Sequence, residues 1–212
     1  MKESRRKAEK ASSASTAVRV LPLLLASIVT TACGNTVRWE EEVVLNNGET
    51  ISVRRERAYT RQIEQGNPFF SHWAPAVVQT IEFSWRGKTY EYTGDARLML
   101  LAIDSSGTPV LVARADENMW HAQHHYGCTR PFYVELVPDG TGRQWSWPSA
   151  LDTWLYRMPA NLMVAAPPRE KPLPRYTVAQ VAHSNTQLAP GNRSLVTIDP
   201  MYEAFHCARK AR

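Results

Sequence analysis

In several runs between residues 39 and 147 the chain is β-rich, and where apolar and polar positions alternate the period is that of strands with one buried face rather than of helices. The first such stretch, Trp39-Glu-Glu-Glu-Val-Val-Leu-Asn-Asn-Gly48, runs through an Asn-Asn-Gly turn into 49–55 and predicts a β-hairpin. A second hairpin is expected from the alternation over 77–85, the turn Arg86-Gly87 and the β-rich run 88–93. A third joins 97–103 to 108–113 through Asp104-Ser-Ser-Gly107, with Pro109 placed where a strand start or edge tolerates it. A fourth joins 131–137 to 143–147 through Asp139-Gly-Thr-Gly142. Residues 61–76, with Gly66, Pro68 and Pro75, read as a loop.

Strands that follow strands through short turns predict a mainly β fold, an antiparallel meander or sandwich-like single domain. Helix is scarce. Ser149 can cap a short one through Leu151, Trp154 and Leu155 to Met158, where Pro159 stops it. Residues 166–175 form a proline-rich linker, and 176–212 a C-terminal extension that needs something to hold it, with a helical turn or two expected over 201–212.

The N-terminus departs from this pattern. Lys2, Arg5, Arg6, Lys7, Lys10 and Arg19 precede an apolar run over 20–29, which is shorter than the roughly 20 residues a spanning helix needs and reads as an export signal. Thr30, Thr31, Ala32, Cys33 and Gly34 then resemble the lipobox of bacterial lipoproteins, with threonine where an aliphatic residue is usual. The resemblance implies a signal peptide over 1–32, acylation of Cys33, and a mature chain anchored to a membrane by its N-terminal lipid. Gly34 in place of aspartate after the cysteine implies the outer membrane, facing the periplasm. The β-rich domain then spans 33–165.

Removing the leader changes the charge. The chain has 25 Lys and Arg against 20 Asp and Glu, and the leader holds six of the bases and two of the acids, which leaves 19 against 18. A near-neutral domain with dispersed charges has no electrostatic footprint for nucleic acid. Three cysteines are an odd count for an exported chain. With Cys33 acylated, Cys128 and Cys207 remain as a pair that can form a disulfide tying the tail to the body, or stay as free or metal-bound thiols.

The leader and cysteine, the 39–48 opening, the 98–113 hairpin and the segment Tyr126-Gly-Cys-Thr-Arg-Pro-Phe-Tyr-Val134 together resemble a group of uncharacterised proteobacterial envelope lipoproteins. The likeness runs from about Cys33 to Ala165. It implies compartment and architecture, and carries no activity.

Candidate chemistry is sparse. His121, His124, His125 and Cys128 lie at spacings that would share one face of a helix, and imidazole with thiolate suits zinc or copper. His206 could join if the tail folds back. The competing reading is a polar loop whose cysteine is oxidised, since Gly127 ends any helix and the spacing matches no established zinc signature. Three of the tryptophans, Trp145, Trp147 and Trp154, invite a sugar-stacking reading, while core packing explains them more simply. Glu40, Glu41 and Glu42 read as a solvated strand edge. There is no Gly-x-Ser-x-Gly elbow, no His-Glu-x-x-His and no phosphate-cradling glycine loop. The expectation is a non-enzymatic envelope binding or structural module with no cofactor and an unidentified envelope partner, the alternative being a periplasmic metal-binding lipoprotein.

Overall fold

The computed structural model describes residues 35–64, 67–114, 125–126, 131–148, 150–188, 190 and 193–202. The fold is mainly β, built on two sheets. The first has five strands in the order β4-β3-β2-β1-β9 and the second has four in the order β5-β6-β7-β8. The strands are β1 (Thr36–Val44), β2 (Thr50–Glu64), β3 (Asn67–Trp85), β4 (Lys88–Gly94), β5 (Arg97–Ile103), β6 (Pro109–Arg114), β7 (Val134–Pro138), β8 (Trp145–Ser146) and β9 (Arg175–Tyr176). Every pairing is antiparallel except β1 with β9.

All four expected hairpins are present, and each turn has a glycine at a position of positive φ. Gly48, Gly107 and Gly142 all have positive φ, the conformation that favours glycine. Side chains of alternate residues then face alternate layers. Val43, Val53, Ile81, Phe83, Tyr90 and Tyr92 of the first sheet meet Leu98, Leu101, Ile103, Leu111, Val134 and Leu136 of the second in the main core. A bulge at Met99 turns both Met99 and Leu100 to the far side of the second sheet. There, with Val110, Val112 and Tyr133, they pack under Leu151, Leu155, Val164, Leu195 and Ile198. The second sheet is therefore buried on both faces, and β6 has no exposed position.

Of residues 61–76, expected as a loop, the described ones, 61–64 and 67–76, are strand. β2 and β3 continue their pairing out to Glu64 and Asn67, beyond the reach of β1 and β4. Pro75 is tolerated because β3 has a strand neighbour on one side only at that point, and a register shift opposite Ala58 absorbs Ala76, Val77 and Val78. The short helix expected over 149–158 is a 3-10 turn, Thr153–Leu155, flanked by Asp152 and Tyr156 in extended conformation. The α-helix of the described residues, α1 (Val178–Leu188), lies instead in the C-terminal extension.

The proline-rich segment is docked rather than free. Pro174 O accepts the amide of Glu40 at 2.9 Å, Arg175 and Tyr176 add to β1 as β9, and the Tyr59 hydroxyl donates to Pro167 O at 2.6 Å. In α1, Asn185 is buried; its Nδ2 donates to Leu162 O at 2.8 Å while its Oδ1 accepts the amide of Val164 at 3.0 Å. Cys128 and Cys207, the expected clamp, lie outside the described residues; within them, these contacts dock the extension through Leu188.

The acidic triplet is also not one solvated edge. Glu40 and Glu42 face outward, but Glu41 points into the domain beside Trp39 and Val43 and is 0% exposed. Successive strand residues alternate faces, so the middle one of three goes inside. It forms a buried ion pair with Arg55 on β2, Nη1 to Oε1 at 2.7 Å.

Candidate functional site

The turns of three hairpins meet at one end of the two sheets. They are the β1–β2 turn with Asn46 and Asn47, the β3–β4 turn with Arg86, and the β5–β6 turn with Asp104, Ser105, Ser106 and Gly107. Together with Trp154 from the 3-10 turn they line an open recess of about 640 Å³, within the usual size of small-molecule sites.

Each wall is fixed by local chemistry. Asn46 works as a backbone surrogate: its Oδ1 accepts the amide of Ile103 at 2.7 Å and its Nδ2 donates to Ile103 O at 2.8 Å, which satisfies the edge strand β5. The Asp104 carboxylate accepts the amides of Ser106 (2.8 Å) and Thr108 (2.9 Å) and the Ser106 hydroxyl (2.7 Å). Burial raises its pKa, yet the hydrogen bonds from Ser106, Thr108 and Gly107 outweigh that and hold it below the ordinary value. Its charge is thus committed to its own turn.

Arg86 is the residue whose presence costs most here. It occupies the first position of a two-residue turn between Trp85 and Lys88, with φ of 49° followed by 77° at Gly87. Positive φ at both positions is the type I′ geometry, for which asparagine before glycine is the favoured pair. An arginine there carries left-handed strain of about 1–2 kcal/mol. Its guanidinium lies 5.4 Å from the centroid of Trp85 and close against Gly107, whose missing side chain leaves the room it occupies. Trp85 is itself tied down by Nε1 donating to Gly107 O at 3.0 Å. Among the described ion pairs no carboxylate is matched to Arg86.

Trp154 is 36% exposed and belongs to a segment anchored from below. The amide of Asp152 donates to Glu135 Oε2 at 2.9 Å, and Glu135 is 5% exposed on β7. Burial raises the pKa of Glu135, the Asp152 amide partly offsets it, and the nearby Asp152 and Asp104 charges add to it. A carboxyl whose pKa rises on folding contributes stability that is complete below its unfolded value and lost as pH climbs through its folded value. Glu135→Gln should therefore become more favourable relative to the parent as pH rises from 4 to 7. Paired urea titrations across that range check this, and a difference that does not change with pH would refute it.

A second groove, of about 540 Å³, crosses the outer face of the first sheet. Its arginines are already matched: Arg38 to Glu56 at 2.5 Å, Arg54 to Glu82 at 3.1 Å and Glu40 at 3.6 Å, and Arg175 to Glu42 at 2.9 Å. These are exposed cross-strand pairs of small individual worth, and they leave no unmatched arginine in that groove.

Of the histidine and cysteine cluster, the described residues include His125. Its ring stacks on Tyr126 with centroids 4.4 Å apart and meets the edge of Trp147 at 4.9 Å, and Nδ1 lies 3.9 Å from Asp95, outside hydrogen-bond reach. Tyr126 donates to Asp95 at 2.7 Å and lies 3.3 Å from the Tyr92 hydroxyl. Burial pushes the Tyr92 phenol up to about 12 and raises that of Tyr126 as well. Gly94 makes space for the Tyr92 hydroxyl, since a side chain there would collide with it. These are neutral phenols closing the end of the core. Among the described residues no three of His, Cys, Asp and Glu assemble as a metal site. His121, His124 and Cys128 lie outside the described residues, as do His206, Cys207 and Cys33.

Of the three tryptophans considered for sugar stacking, Trp145 donates Nε1 to Glu91 O at 2.7 Å and helps close the β4 edge, Trp147 packs on His125 and Tyr126, and Trp154 lines the recess. The Arg86-Gly87 turn is legible in the sequence, and the signal that marks Arg86 itself is a bulky residue where asparagine fits best. The described residues contain no helix long and apolar enough to cross a membrane. The chain matches no family model, no curated protein and no solved structure.

Proposed function

We propose that this chain is an envelope lipoprotein, anchored through acylated Cys33 at the outer membrane, whose periplasmic β domain is a non-enzymatic binding module using the recess at its turn end. The anchoring half rests on the basic leader, the apolar run and the residues around Cys33. The binding half rests on one observation: the sequence keeps a strained arginine, matched to no carboxylate among the described ion pairs, at the wall of a polar recess beside an exposed indole. Arg86 covers the Trp85 ring and the space beside Gly107, yet it is itself exposed and its guanidinium is matched to no carboxylate among the described ion pairs, so what it presents to solvent supports the binding reading. A disulfide between Cys128 and Cys207 belongs to the same proposal as a secondary brace on the C-terminal extension.

Anchoring is tested by Cys33→Ser in cells followed by membrane fractionation. The expected result is release of the protein from detergent-extractable membranes and loss of metabolically incorporated fatty acid. Retention in the membrane with unchanged gel mobility would refute acylation at Cys33.

A further inference from the structure

We infer that the turn-end recess binds a saccharide bearing a carboxylate, with the acid on Arg86 and a pyranose face on Trp154; this rests on the reading of the recess as the binding site. The argument begins with the shape of the donor. A guanidinium presents a planar fork that matches a carboxylate with two parallel hydrogen bonds, a match that a lysine ammonium cannot make. In the described structure the Arg86 fork rests on the Trp85 ring and against Gly107. Both contacts orient it without saturating its N–H groups.

The rest of the lining sets what accompanies the acid. Trp154, 36% exposed, lines the recess with an indole, whose flat apolar ring suits the axial C–H groups of a sugar. Ser105 stands in the lining with a hydroxyl of the kind that meets sugar hydroxyls, while the Asn47 amide is held by Glu49, with Nδ2 donating to Oε1 and Oδ1 accepting the Glu49 amide. The one acid in the lining, Asp104, keeps its negative charge, but its Oδ1 is held by the Ser106 and Thr108 amides on its own turn, and no described ion pair joins it to Arg86. One unmatched cation suits one carboxylate. A polyphosphate would need several cations and a nest of backbone amides, and the lining supplies a single arginine.

The turn geometry makes the test clean. Arg86→Asn creates the Asn-Gly pair that a type I′ turn prefers, so the variant should fold at least as stably as the parent while lacking the guanidinium. Full-length protein in detergent micelles would be titrated calorimetrically with glucuronic acid and N-acetylmuramic acid, with glucose and N-acetylglucosamine as uncharged counterparts, and with acetate as the acid alone. The expected result is binding of the acidic sugars at least tenfold tighter than their neutral counterparts or acetate. Arg86→Asn should abolish that preference with an unchanged or higher melting temperature, and Trp154→Ala should weaken acidic and neutral sugars alike. Equal affinity for acidic and neutral sugars, lost in Trp154→Ala and untouched by Arg86→Asn, would overturn the carboxylate while leaving the recess a binding site. No heat from any probe, with both variants indistinguishable from the parent, would overturn the ligand class and the recess reading together.

Discussion

Replacing Glu41 by alanine is expected to lower the unfolding free energy by about 3–5 kcal/mol, because it leaves the Arg55 guanidinium buried without a counter-charge. Glu41 is the hub of a polar layer between two apolar clusters. Its Oε1 accepts Arg55 Nη1 at 2.7 Å, and its Oε2 accepts Trp39 Nε1 at 3.1 Å and the amide of Met163 at 3.3 Å. Arg55 also donates Nη2 to Gln79 Oε1 at 2.6 Å, and Gln79 passes its own donor to Ala96 O at 2.6 Å. The layer thus ties β1, β2 and β3 to the segment entering β5 and to the chain at Met163. Arg55→Met should cost a similar amount, by stranding the carboxylate. The double variant Glu41→Ala with Arg55→Met should cost less than the two single losses added, since it removes the desolvated pair as a unit. Trp39 Nε1 and the Met163 amide would still lose their acceptor, so full recovery is not expected. Urea unfolding followed by tryptophan fluorescence measures all three. Strict additivity, or single losses below about 1 kcal/mol, would show that the pair is not acting as a buried ion pair.

The parity of that layer was readable and its partners were not. Trp39 and Val43 mark the inward face of β1 by alternation, and Glu41 shares their parity, so its burial follows from period 2 alone. Arg55 and Gln79 lie on other strands, and nothing local pairs them with Glu41. The hairpins were legible for the opposite reason, because turn chemistry is local: Asn-Asn-Gly, Arg-Gly and Asp-x-x-Gly each specify a backbone shape. Gly66, Pro68 and Pro75 disguised the outer parts of β2 and β3 as a loop, and β3, with one neighbour at that point, tolerates Pro75.

Helix α1 escaped the pattern because its buried positions are Val181 and Asn185, one of them polar, so no apolar stripe marks its face. A better signal was present at its start. Thr177 and Gln180 form a capping box, with Gln180 Oε1 accepting the Thr177 amide at 2.8 Å and Thr177 Oγ1 accepting the Gln180 amide at 3.4 Å. The recess was the least legible feature. Its walls come from three turns and a 3-10 segment far apart in the chain, and only the packing of one sheet on the other brings Arg86 to Gly107 and Trp154 to the same opening.

Asn161→Ala is expected to cost about 2–4 kcal/mol, because it strands polar backbone that no neighbouring strand can satisfy. β5 is the edge of the second sheet, yet its Leu101 is fully buried and cannot turn to water. Asn161 stands in for a missing strand: Oδ1 accepts the Leu101 amide at 2.9 Å, and Nδ2 donates to Leu101 O and to Val44 O, both at 2.8 Å. Its own amide and that of Leu162 donate to Met99 O at 3.1 and 3.0 Å, so the whole segment is laid along the edge. The near-isosteric Asn161→Asp separates shape from hydrogen bonding. It keeps the acceptor for Leu101 N–H and aims a carboxylate oxygen at two carbonyls, which should make it at least as damaging as alanine at pH 7. Those carbonyls disfavour the ionised form, so the introduced acid should have a raised pKa on folding, and part of the lost stability should return as pH falls below that value. Denaturant unfolding of both variants at pH 7 and pH 4.5 decides the matter. An aspartate variant as stable as the parent at pH 7 would mean that Asn161 fills space and does not complete the sheet.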